Sequence, residues 1–113
     1  MEFRQIPVDD VAFQLTPVAT VRLAPDDIER RLGVTFEEGV DDFGKSDAVL
    51  LELGAGNQYL LIRYRHSPDL DTDVHGSVRA PNVRTLVQEF LRATDVRETE
   101  LSWQRDENSW DGS

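Results

Sequence analysis

The segment from His66 to His75 holds the residue types best suited to binding a metal ion. Three aspartates and a histidine recur there at every second position: Asp69, Asp71, Asp73 and His75. In an extended chain this spacing places the side chains on one face, and a divalent cation would relieve the repulsion between neighbouring carboxylates. One hypothesis is therefore a manganese or zinc site. Its candidate ligands are His66, Asp69, Asp71, Asp73 and His75.

A calcium loop of the EF-hand type is not indicated, although the alternating aspartates resemble the opening of one. Such a loop has glycine at its sixth position and glutamate at its twelfth. Counting from Asp69, these positions hold Val74 and Ala80. The other interpretation of the segment is a solvated acidic loop that runs into an edge strand, where its charges would discourage aggregation.

Two arginines in the middle of the chain form a candidate anion-binding pair. Arg63 and Arg65 are two residues apart in a strand-like run and share a face with Tyr59. Because guanidinium groups bind carboxylates and phosphates through paired hydrogen bonds, the pattern suits a small-anion clamp. The alternative is cross-strand pairing of the arginines with Glu52 or with an acid of the last strand.

Acids interleaved with apolar residues form a candidate protein-binding surface ahead of the central strands. Four acids surround Val40, with a phenylalanine on either side of the group: Glu37, Glu38, Asp41 and Asp42. We interpret this stretch as a loop. Together with Asp71 and Asp73, its acids are the predicted contacts for a basic protein. A loop that is merely solvated is the alternative.

Patterns typical of catalysis or nucleotide binding are weak in this sequence. It has no cysteine and no Gly-x-Ser-x-Gly nucleophile elbow. The run Gly54-Ala55-Gly56 follows a strand, but Tyr59 stands where a dinucleotide-binding turn has its third glycine. We therefore interpret the glycines as a hairpin turn, expect no cofactor, and favour a non-catalytic protein over an enzyme.

The net charge of -10 on 113 residues is the strongest compositional signal. Twenty-two acidic side chains face twelve basic ones, and Lys45 is the sole lysine. Because binding to duplexes and to anionic membranes depends on clustered lysine and arginine, both partners are disfavoured. Three uses of the acidity remain: capture of a basic protein, a solvating coat in high salt, as in the haloarchaeal proteins whose composition the chain resembles, or simple solubility.

The hydrophobic pattern predicts the elements that must position these residues. The predicted strands are Val18–Leu23, which Pro17 separates from Val11–Leu15, then Ala48–Leu53, Gln58–Arg65, Asp73–Ala80 and Glu98–Gln104. The predicted helices are a short one over Ala24–Gly33 and a longer one that opens at Pro81 or Asn82 and ends near Thr94. This order predicts an α+β fold, with a mainly antiparallel sheet of about five strands and two helices packed on one face. Trp103 is expected in the core.

The length predicts a single domain over residues 1–105, followed by a frayed acidic tail over 106–113, where the placement of Trp110 stays open. Residues Met1–Gln5 lack the basic and apolar segments of a secretion signal, so we expect a cytoplasmic location. The favoured function is a small acidic protein-interaction domain, of the immunity or inhibitor type, that binds a basic protein; a homodimer is also expected. The alternatives are a metal-dependent enzyme or regulator centred on His66–His75, and a housekeeping domain adapted to high salt.

Overall fold

A seven-stranded antiparallel sheet organises the part of the chain that the computed structural model describes, residues 3–11, 15–53, 56–68, 71–77 and 83–105. Its strands are β1 (Phe3–Ile6), β2 (Leu15–Val21), β3 (Glu37–Asp41), β4 (Gly44–Leu53), β5 (Gln58–Tyr64), β6 (Thr72–Ser77) and β7 (Leu101–Gln104). The helices are α1 (Pro25–Leu32) and α2 (Val83–Thr94), and 3-10 turns lie at Val8–Asp10 and Glu98–Glu100. The α+β class is confirmed, while the sheet has seven strands instead of about five.

The long strand β4 sets the order of the sheet. One of its edges pairs with β5, and the order continues through β6 and β2 to β7. Its other edge pairs with β1 along one half and with β3 along the other. The side-chain amide of Gln5 links β1 to the segment just before β3, because its Nε2 donates to the carbonyl of Thr35 at 2.7 Å and its Oε1 accepts from the Thr35 N–H at 2.9 Å.

The expectation that Glu37–Asp42 forms a loop was wrong. Glu37–Asp41 is strand β3, which pairs with β4 from Glu37 opposite Ala48 to Asp41 opposite Gly44. Three acids and a glycine in five residues have low intrinsic strand propensity. The strand forms because β4 offers a free edge of ten residues that β1 only half occupies.

The two helices cover one face of the sheet and share an apolar core with it, as predicted. The predicted stripe of α2 is buried throughout: Val83, Leu86, Val87, Phe90 and Leu91. Helix α1 contributes Ile28 and Leu32 and ends at Gly33, whose φ of 70° is the left-handed conformation that glycine adopts without strain.

A polar contact also fixes α2 against the hairpin formed by β4 and β5. The Tyr59 hydroxyl lies 2.7 Å from Glu89 Oε1 and 2.9 Å from the Leu86 carbonyl oxygen. Asn57 Nδ2 donates to the same Glu89 oxygen at 2.8 Å. Burial raises the pKa of Tyr59, and the hydrogen bond to Glu89 raises it further. The phenol therefore stays protonated and available as a donor.

The opposite face of the sheet, here named the open face, is only partly covered. Side chains of residues directly opposite one another on paired strands point to the same face. The register of β4, β5 and β6 therefore places a mixed set there: Ser46, Ala48, Leu50, Leu60, Ile62, Tyr64, Asp73 and His75. The 3-10 turn at Val8–Asp10 contacts β4, and Ala48 and Leu50 are buried.

The expectation that Trp103 belongs to the core was wrong, since 44% of its surface is exposed. Thr20 pairs with Trp103, but the next residue of β2, Val21, pairs with Leu101, so Ser102 is an extra residue in β7. Because of this extra residue, the side chains of Leu101 and Trp103, two positions apart, do not share a face as they would in a regular strand. Leu101 therefore packs against the core, whereas Trp103 lies on the open face.

Pro17 does not separate two strands, contrary to expectation, but lies inside β2. A register shift against β6 falls between Pro17 and Ala19, and irregular positions of this kind tolerate a residue without an N–H. The hairpin turn after β4 has the predicted positive φ, 91°, at Gly56. Residues 54–55, 78–82 and 106–113, which include the predicted start of α2, the predicted tail and Trp110, lie outside the described residues.

Candidate functional site: an acidic groove on the open face

A groove of about 380 Å³ lies on the open face beside β3. Among the described residues, its lining holds four acidic residues and no basic one, although the side chain of Glu38 turns to the other face of the sheet. The lining residues are Val8, Asp9, Glu37, Glu38, Gly39, Val40, Asp41, Ser46, Ala48, Leu60 and Ile62. The other lining side chains are almost all aliphatic. We name this feature the acidic groove, because it combines an apolar floor with a rim of carboxylates.

The walls of the acidic groove are held by contacts between distant parts of the chain. The N–H of Val8 donates to Glu37 Oε2 at 2.9 Å, which ties the first 3-10 turn to β3. Gly39 pairs with Ser46 across the two strands. A side chain at position 39 would have its Cβ 3.7 Å from the Ser46 Oγ. The groove is therefore assembled by tertiary pairing, which also explains why Asp9 was missed as a site residue: no local pattern links it to β3.

The end of β3 and the β3–β4 turn that follows it, Asp42–Phe43, expose two apolar side chains. Val40 is 75% exposed and Phe43 is 74% exposed. The turn is shaped by Asp41, whose Oδ1 accepts from the N–H of Phe43 at 2.8 Å, and by Gly44 at a φ of 114°. Apolar side chains presented beside carboxylates are typical of surfaces that contact other macromolecules.

Tyr64 connects the turn to the middle of the open face. Its hydroxyl donates to Asp41 Oδ2 at 2.7 Å. Partial burial raises the pKa of Tyr64 to about 12, with further contributions from the hydrogen bond to Asp41 and from the charges of Asp41 and Asp73. The phenol therefore remains a neutral donor. Tyr64 was not a predicted site residue.

The predicted partner-binding acids do not all lie on one face of the sheet. Glu37 and Asp41 lie on the open face, and Asp73 joins them there, where its Oδ1 accepts from the Thr20 hydroxyl at 2.9 Å. Glu38 lies on the other face, with its Oε1 3.0 Å from Arg65. The remaining two are Asp42, exposed at the turn, and Asp71, half-buried just before β6.

One member of the candidate anion-binding pair, Arg65, already contacts acids of this chain. Its guanidinium contacts Asp47 at 2.8 and 3.2 Å and also Glu38, and the hydrogen bonds to Asp47 and then Glu38 raise the pKa of Arg65. Arg63 lies opposite Asp47 on the neighbouring strand and is half-buried. An external anion at Arg65 would compete with two carboxylates. Glu52, a predicted partner of this pair, contacts Arg4 instead.

The predicted metal ligands are spread over different surroundings. The ring of His66 contacts Tyr64, whereas His75 lies between Leu60 and Pro17 in the sheet. Asp69 lies outside the described residues. Within the part of the chain that the structure describes, no three His, Cys, Asp or Glu side chains come close enough together to hold a metal ion.

His75 is expected to make the stability of the protein depend on pH. Burial lowers the pKa of His75 below the ordinary value for histidine, and the charge of Asp73 only partly opposes this effect. His75 is therefore protonated more readily in the unfolded chain than in the folded chain. Because of this difference, the free energy of unfolding falls as the pH drops below about 6.5. Urea unfolding between neutral and mildly acidic pH measures the effect. His75→Gln should flatten this part of the profile, and an unchanged profile in this variant would contradict the prediction.

Two further clefts differ from the acidic groove in charge. One is lined by Leu23, Asp27, Arg30 and Arg31, and the other by Arg31, Thr94, Asp95, Arg97, Thr99 and Glu100. Acids and arginines neutralise one another there: Arg31 Nη2 lies 2.8 Å from Glu100 Oε2, and this contact lowers the pKa of Glu100. Among these three clefts, the acidic groove is the one whose described lining holds acids and no arginine.

Comparison of the chain with protein-family models, with curated proteins and with solved structures finds no match in any of the three. None of the described helices has the length and apolarity needed to cross a membrane.

Proposed function

We propose that this protein is a non-catalytic interaction domain that binds a cationic segment of a basic protein in the acidic groove, as an inhibitor or immunity protein would. The observation that carries the proposal is the lining of the groove, where the carboxylates of Asp9, Glu37 and Asp41 surround an aliphatic floor and the described lining residues include no basic one. A lysine or arginine side chain complements this lining, because its apolar stem suits the aliphatic floor and its cationic end suits the carboxylates.

The charge of the whole chain supports the same function. A net charge of -10 attracts a basic partner over distances comparable to the Debye length and accelerates encounter. Complementary charges at the site then fix the orientation of the partner. Exposed Phe43 beside the rim would supply apolar contact area that charges alone do not provide.

The proposal can be tested by titration with a synthetic hexapeptide of alternating valine and arginine, followed by amide chemical shifts. We expect shifts in β3, β4 and β5 around the groove, with those of α1 and α2 unchanged. The double variant Glu37→Gln, Asp41→Asn removes two rim charges while keeping oxygen acceptors for Val8 and Tyr64. Its affinity for the peptide should be about tenfold lower, which corresponds to about 1.4 kcal/mol.

The matched control neutralises two exposed acids far from the groove, Asp26→Asn and Glu98→Gln, so that the net charge changes equally. This control should keep nearly the affinity of the original chain. If both double variants lose the same affinity, or if the peptide shifts the helical residues as strongly as β3, the acidic groove is not the docking site.

A further inference from the structure

Three rings meet at the end of the acidic groove, beside the β3–β4 turn. The ring centroids of Phe43 and Tyr64 are 6.0 Å apart, and those of Tyr64 and His66 are 5.9 Å apart. Asp41 lies beside them, bonded to the Tyr64 hydroxyl. We name this group of four residues the aromatic corner.

The shape of the aromatic corner suits a flat cation. The planes of Phe43 and Tyr64 are inclined at 68° and those of Tyr64 and His66 at 42°, so the rings form an angled wall instead of a closed stack. Phe43 keeps 74% of its surface exposed. Its ring is therefore accessible to a ligand, and covering it would remove apolar surface from water.

The charges around the aromatic corner also favour a cation. Aromatic faces carry partial negative charge and attract cations within about 6 Å. Each oxygen of Asp41 accepts one hydrogen bond, from Phe43 N–H and from Tyr64 O–H, which leaves each with a further lone pair. Asp73 acts on the same phenol through its charge. A cation here would meet ring faces and the carboxylate of Asp41 together.

We propose that the aromatic corner binds the guanidinium group of an arginine supplied by the partner, an inference that rests on the function proposed above and specifies the group it recognises. Arginine is preferred over lysine because guanidinium is planar and weakly hydrated, so it can stack on a ring while it donates to a carboxylate in its own plane. The ammonium of lysine is compact and strongly hydrated, and it gains less from the same rings.

The test uses three small probes: N-acetylarginine amide, N-acetyllysine amide and the neutral isostere N-acetylcitrulline amide. Carbon–proton correlation spectra report on the rings of Phe43, Tyr64 and Trp103. We expect the arginine probe to shift Phe43 and Tyr64 saturably, the lysine probe to bind several-fold more weakly, and the citrulline probe to cause no shift. Equal binding of citrulline, equal binding of lysine, or no ring shift with arginine would overturn the inference.

A pair of variants separates this inference from the proposed function. Phe43→Ala should abolish the response of Tyr64 to the arginine probe and weaken the valine–arginine hexapeptide severalfold. Trp103→Ala is the matched control, because Trp103 is also exposed but already has Arg105 5.9 Å from its ring centroid. If Glu37→Gln, Asp41→Asn weakens the hexapeptide and Phe43→Ala does not, the acidic groove stands as the docking site and the aromatic corner fails.

Discussion

Phe90→Ala is expected to lower the free energy of unfolding by about 3–5 kcal/mol. Phe90 is buried in the core between α2 and the sheet, and its ring centroid lies 5.5 Å from that of Tyr59. Truncation would remove this contact and leave a cavity that the rigid β4–β5 hairpin cannot close. Equilibrium unfolding in urea measures the loss, which for a chain of this size is a large part of the total stability.

The matched control is Phe43→Ala, which makes the same chemical change on an exposed ring. Its effect on the free energy of unfolding should stay within about 0.5 kcal/mol. A loss of less than about 1 kcal/mol at Phe90, or equal losses at both positions, would mean that the core is not assembled as described. A neutral result at Phe43 also allows any loss of binding by that variant to be assigned to the aromatic corner.

The elements that could be predicted from the sequence are those whose pattern is local. Helix α2 has its apolar residues at helical spacing, and its end at Thr94 agrees with prediction. Helix α1 begins at Pro25 and stops at Gly33, each for a reason that acts within one turn. The central hairpin follows from two apolar runs around a glycine turn.

The elements that were missed depend on distant residues. Strand β3 exists because β4 has a free edge, which no property of Glu37–Asp41 reveals. The orientation of Trp103 depends on one extra residue, Ser102, in the pairing of β7 with β2. A shift of one residue in register reverses the faces of a strand, so an alternation pattern alone could not place this side chain.

The same limit applies to the candidate site. In the sequence, Glu37 and Glu38 are equivalent neighbours, and both were predicted to contact a partner. The pleat of β3 separates them: Glu37 lines the acidic groove on the open face, while Glu38 contacts Arg65 on the other. That these acids contact a partner stays a prediction, and their division between the two faces required the register of β3 on β4.

Reversing two charges at the acidic groove is expected to have the largest effect on binding. Asp9 lies in the groove lining and Asp42 at the adjacent turn, and both are exposed. The variant Asp9→Lys, Asp42→Lys replaces attraction by repulsion at two points, so the affinity for the valine–arginine hexapeptide should fall about 100-fold at low salt. The difference from the original chain should shrink as salt screens the charges.

The control Asp26→Lys, Glu98→Lys distinguishes a site from a uniform acidic coat. Each reversal changes the net charge by two, so both double variants move it from -10 to -6. If the acidity serves only solvation in high salt, position is irrelevant and the two variants should lose equal affinity and respond equally to salt in thermal melting. If the acidic groove binds the arginine side chains of the hexapeptide, the variant Asp9→Lys, Asp42→Lys should lose at least tenfold more affinity than the control variant. Steering by net charge is the same in the two variants, and only the contact at the rim of the groove differs.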